Sequence, residues 1–236
     1  MDQGLMVLLS TAVGIGFIHT LIGVDHSLPF VVLGRAQGWS VRKLIAITTL
    51  CGTGHVLSSV VLGFIGIGLG VAVERLEWIE SRRGTVSAWL LIGFGLAYAS
   101  WGLYRLFRNR PHHHVHVHQH NEVHAHEHRH QDEHVHPHGL DRRAITVWAL
   151  FIVFVFGPCE PLIPLLMVPA LAHEWSGVAL VALVFGVTTI ATMLLVVLAG
   201  YYGLRPSFFA LFERHVHVIA GLMIAASGIA IKAFGI

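Results

Sequence analysis

The chain has 236 residues, of which 55% are hydrophobic and only 12% charged, with a mean hydropathy of +0.70. Its apolar runs exceed the roughly 18–20 residues that a membrane helix needs, which excludes an ordinary soluble domain. The net charge of +2 gives no basis for a nucleic-acid partner, because Lys and Arg in a membrane protein set its orientation instead. Two cysteines, Cys51 and Cys159, both in apolar surroundings, exclude a secreted disulfide framework and leave open whether they pair with each other.

Six hydrophobic segments are expected, over about 5–33, 44–73, 86–107, 144–171, 178–202 and 216–234. The first carries no early Lys or Arg and is followed by five more, so it reads as a span and not as a cleaved signal. It is interrupted between Gly23 and Pro29, and the fourth between Gly157 and Pro164. Proline removes a backbone donor and clashes with the preceding turn, so irregular backbone at membrane depth must face protein or a water-filled cavity.

The predicted fold is therefore all-α and polytopic, with six transmembrane helices in two three-helix halves, 1–107 and 144–236, joined by a polar loop over 108–143. Alternate sides carry eleven and four Lys or Arg, which places both termini outside and the central loop in the cytoplasm, in a cytoplasmic (inner) membrane. Sliding the chain by 134 positions lays Asp25-His26 on Cys159-Glu160 and Gly52-Thr53-Gly54-His55 on Gly186-Val187-Thr188-Thr189. Three spans per half would make the copies run oppositely, as inverted repeats with broken first helices.

Ionisable side chains within a span cost roughly 2.5–3.5 kcal/mol each on insertion scales, so those present mark function by default. His19 and His26 share a helical face but would stand about 10 Å apart along a continuous helix at about 1.5 Å per residue. Imidazole nitrogens bind a first-row ion at about 2.0–2.1 Å, so both reach one ion only if the helix breaks between them, where Gly23 permits it. Asp25 offers an oxygen ligand or orients the His26 imidazole from behind, and His55 offers a third nitrogen. Cys159 and Glu160 complete the candidate metal set in the second interruption. His215 and His217 read as interfacial groups, as do His173 and Glu174.

Thirteen of the nineteen histidines lie between His112 and His138, many alternating as His-x-His among Glu122, Glu127, Asp132 and Glu133. Such a tract chelates late first-row divalent ions and holds little that could pack a core, so disorder is expected when no ion is bound.

At His19, Asp25-His26 and Gly54-His55 the chain resembles the nickel/cobalt transporter family, including its urease-accessory-like members and its efflux branch. The importers of that family have four residues between His and Asp-His; here five intervene. Gly157-Pro158-Cys159-Glu160-Pro161 is similar to the broken helices of the lysine-exporter superfamily, which includes sulfite exporters and the thiol-reductant carriers of cytochrome c maturation. The first resemblance implies a carrier, not an enzyme: a secondary transporter that holds Ni²⁺ or Co²⁺, with Zn²⁺ as a further candidate, near the membrane midplane. Its only partners would be the ion and the bilayer, with homo-oligomerisation left open and no resident cofactor. Ligands that shed protons to bind would make transport pH-dependent, with export favoured over import. The alternatives are a membrane thiol-redox carrier using Cys51 and Cys159, or another substrate of the superfamily such as sulfite.

Overall fold

The computed structural model describes residues 3–108, 112–117, 123–128, 142–203 and 215–234. Arg110, Arg129, Arg205 and Arg214, counted above for orientation, and the acidic Glu122, Asp132 and Glu133 lie outside the described residues.

Among the described residues the membrane-embedded chain is helical apart from its two interruptions. Helix α1 (Gln3–Ile22) ends in a 3-10 turn at Val24–His26, followed by the short α2 (Leu28–Ala36). Gly23 cannot be replaced by a larger residue here without displacement, because a Cβ would strike the His26 ring and lie 3.1 Å from Asp25 Oδ1. Pro29 sits in the first turn of α2, where its missing N–H would have had no helical partner. Helix α3 (Val41–Gly68) starts at Ser40, whose hydroxyl accepts from the Lys43 amide at 3.3 Å, and α4 runs unbroken over Val73–Arg108. Two strands, β1 (His112–Val117) and β2 (Val123–His128), form an antiparallel hairpin with His112 opposite His128. Over these two stretches paired backbone stands where disorder was expected, with the period of two in the His-x-His pattern as its sequence counterpart; the rest of the segment lies outside the described residues.

The second half begins with α5 (Arg142–Phe156) and α6 (Leu162–Leu171), separated by a non-helical stretch, and closes with α7 (Trp175–Gly203) and α8 (Val216–Phe234). Five helices, α1, α3, α4, α7 and α8, are long and apolar enough to cross a membrane; α5 and α6 are shorter apolar helices. The chain is an integral membrane protein.

Helices α4 and α8 approach backbone to backbone. A Cβ on Gly221 would meet the Ala99 amide and sit 2.6 Å from the Gly95 carbonyl oxygen, and one on Gly102 would be 2.9 Å from the Val218 nitrogen. Lipid offers no hydrophobic drive for helices to associate, so small residues that permit such contact hold the pair together. Two apolar clusters complete the bundle. One gathers Phe30, Leu33, Leu44, Cys51, Leu150 and Met193; the other gathers Ala12, Cys159, Leu162, Leu166 and Phe185.

The structure departs from the expected third span. A polar connection was expected at 74–85, with Arg75, Arg82 and Arg83 outside the bilayer, but these residues belong to the first turns of α4. Glu80 is fully buried there, because Arg83 lies one turn away and meets its carboxylate.

Candidate functional site

Both interruptions pack on His55 of α3. In the first, α1 stops at Ile22, and the turn carries Asp25 and His26 back beneath the helix end. The His19 and His26 rings then stand 5.0 Å apart, and His26 lies 4.9 Å from the His55 ring on α3. One ligand nitrogen from each of the three lies within 4.8 Å of the others. His26 and His55 are buried. His19 Nε2 is also buried, and has no hydrogen-bond partner among the described residues.

The hydrogen bonds constrain where the protons sit. His55 Nδ1 is 3.3 Å from the Phe154 carbonyl, which can only accept, so that nitrogen carries the hydrogen. His26 Nδ1 likewise faces the Asp25 carboxylate at 3.0 Å. With both Nδ1 positions committed as donors, the two Nε2 atoms point at each other across 3.3 Å. Neutral rings would oppose two lone pairs, so a cation belongs between them, either a proton on His26 or a metal ion. Two nitrogens on a tetrahedral ion at about 2.0–2.1 Å are themselves about 3.3–3.4 Å apart, which matches the separation of these two atoms. Asp25 and the Phe154 carbonyl hold the outer nitrogens, the arrangement that orients histidine ligands.

In the second interruption, Gly157 packs against His55: a Cβ there would be 2.9 Å from His55 Nδ1. Cys159 follows two residues on, fully buried, with its amide donating to Glu80 Oε2 at 3.0 Å. Cys51 is also fully buried, one turn before His55 on α3. Both thiols are free and belong to different apolar clusters. Of the six residues singled out as ligands, the structure gathers His19, His26 and His55 and places Asp25 beside His26; Cys159 and Glu160 stand outside the three-histidine group. A cavity of about 360 Å³ adjoins His19, Asp25 and His26, and a second of about 260 Å³, sharing His19, Pro158 and Pro161 with it, reaches Glu160 and Lys232. His217, read as interfacial, bonds to Tyr98 at 2.9 Å and to Arg105 at 3.2 Å.

Sequence reasoning missed four residues of this site. Arg83 donates to Glu80, to Ser58 Oγ at 2.6 Å, to Ser59 Oγ at 3.2 Å, and to the carbonyls of Val155 at 2.8 Å and Gly157 at 3.3 Å. Ser59 in turn donates to Glu80 Oε2 at 3.2 Å. The available signal was the helical spacing of Glu80 and Arg83 together with a serine pair inside an apolar run.

Residues 12–230 match the family described as cytochrome C biogenesis protein transmembrane region. No curated protein and no solved structure matches the chain. The family match overturns the nickel/cobalt transporter assignment, and with it the carrier of divalent metal ions. It spans both halves, whereas the resemblance to the metal carriers rested on a few residues of the first half with one residue too many between His19 and Asp25.

Proposed function

Because the chain belongs to the cytochrome c biogenesis transmembrane-region family, we propose that it is a membrane thiol-redox carrier whose working groups are Cys51 and Cys159. In each cycle the two thiols give up two electrons and two protons and close into a disulfide. A disulfide on a partner protein takes up both and becomes a dithiol; a second dithiol then returns the carrier to its reduced form.

The observation that carries this reading is the place of Cys159. It lies where the helix is interrupted, two residues after the glycine that packs on His55, and Cys51 is one turn from that histidine. A disulfide needs Cα atoms about 4.4–6.8 Å apart. The thiols sit in separate clusters in this reduced form, so the interrupted segment moves toward α3 to join them. Pairing α1–α2 with α5–α6, α3 with α7 and α4 with α8 gives two opposed three-span repeats that would let such motion face either side of the membrane. The Lys and Arg distribution favours a central loop on the cytoplasmic side.

The test is a proteoliposome with an entrapped disulfide reporter and an external dithiol. The intact protein is expected to reduce the reporter, and Cys51→Ser and Cys159→Ser each to bring the rate down to that of protein-free vesicles. Full activity in the double serine variant would overturn the assignment.

A second reading concerns the histidines. The 3.3 Å spacing of His26 and His55 Nε2 and the unpartnered His19 Nε2 favour a resident transition-metal ion held by His19, His26 and His55, with Asp25 orienting His26. Such an ion would supply Lewis acidity beside the thiols. Co²⁺ added to the full-length protein is expected to give the intense visible bands of four-coordinate cobalt, lost in His26→Ala and in His55→Ala. Any contribution from the central histidine tract is common to the wild type and both variants and cancels in the comparison. Retention of the intense bands in both variants would reject the site.

A further inference from the structure

We infer that Glu80 and Arg83 are positioning residues, a buried latch that fixes Cys159 in the interruption and must open before the two thiols can meet. The inference rests on the thiol-redox reading and adds to it the groups that control access to Cys159.

The latch is built from what the interruption leaves unpaired. Helix α5 ends at Phe156, and Pro158 and Pro161 supply no amide to its last carbonyls, which would stand unsatisfied in a low-dielectric interior. Arg83 meets one of them, at Val155, and also the carbonyl of Gly157 just past the helix end. Its neighbour Glu80 takes the amide on the other side of the gap, that of Cys159. One ion pair on α4 thus bonds to both sides of the gap in the second half. The next residue, Gly84, seats Pro158, whose Cγ would be 2.9 Å from a Cβ at that position. Arginine suits the task because its planar fork donates to several acceptors at once.

The same pair is tied to α3 through Ser58 and Ser59, one turn beyond His55. The latch therefore joins the helix that carries Cys51 to the segment that carries Cys159, while holding the latter in its own apolar cluster. Movement of Cys159 toward Cys51 withdraws its amide from Glu80, and leaves a fully buried carboxylate oxygen with only the Ser59 hydroxyl. That cost keeps the thiols apart until a docking dithiol or disulfide compensates for it.

The test compares the two thiols within one full-length protein. Maleimide labelling rates at Cys51 and Cys159 are read peptide by peptide in the wild type, Glu80→Gln and Arg83→Lys. Labelling at Cys159 is expected to rise about tenfold, the ratio for loss of one charge-assisted hydrogen bond, with Cys51 little changed. Diamide, as oxidant, should also form the Cys51–Cys159 disulfide faster in both variants. An equal rise at both thiols, which general loosening would produce, or no rise at either, overturns the latch. Should one charge variant fail to fold, the other carries the same expectation and decides it. Labelling needs no redox turnover, so this result and the vesicle assay fail independently.

Discussion

Replacing Arg83 by alanine is expected to lower stability by about 3–5 kcal/mol, the range for a buried charge stripped of its partner. Glu80 is fully buried and its carboxylate is met by Arg83, Ser59 and the Cys159 amide. Without the guanidinium the charge remains, and the carbonyls of Val155 and Gly157 lose their donor as well. Arg82 provides the control: it is exposed and stacks on Trp78 with its guanidinium carbon 4.9 Å from the ring centre, so Arg82→Ala should stay within about 0.5 kcal/mol. The loss is read by denaturant unfolding in mixed micelles. Removing both members of the pair as Glu80→Met with Arg83→Met should cost less than Arg83→Ala, since no unpaired charge is left. Equal losses for Arg82→Ala and Arg83→Ala would show that the pair holds nothing.

Leucine at Gly221 is expected to prevent α4 and α8 from packing. Overpacking a side chain against other side chains costs about 1–3 kcal/mol because they can shift. Here the atoms in the way are the Gly95 carbonyl and the Ala99 amide and Cα, which move only with the helix. The loss should exceed that range and show as aggregation or proteolysis in the membrane. Gly93→Leu is the matched control, since a Cβ at Gly93 would meet nothing within 4 Å. Comparable folded yields for the two variants would contradict the close-contact account.

The interruptions were legible because their causes are local. Gly23 and Pro29, and the run Gly157, Pro158, Pro161 and Pro164, mark both gaps, and the structure places non-helical backbone between α1 and α2 and between α5 and α6, with Pro29 and Pro164 taken into the first turns of the helices that follow. His19, His26 and His55 were equally visible as ionisable groups in fatty segments, and the structure gathers them into one cluster. Glu80 and Arg83 were not legible, because hydropathy treats any charge as loop. Only the folded arrangement shows that Arg83 answers the carbonyls of Val155 and Gly157, 72 and 74 residues along the chain. The functional class was misread for a related reason. Nineteen histidines outweigh two cysteines in any reading of composition, while the family match follows the pattern of the whole span from 12 to 230.

The central claim is that Cys51 and Cys159 form one redox couple. Its most direct test is equilibration of the full-length protein against dithiol/disulfide buffers over a range of potentials, followed by acid quenching and mass analysis of the peptides containing the two residues. The account predicts that a Cys51–Cys159 disulfide appears in oxidising buffer and is replaced by two free thiols in reducing buffer, with a single midpoint. Two thiols that stay free, or oxidise independently of each other at every potential, would contradict it.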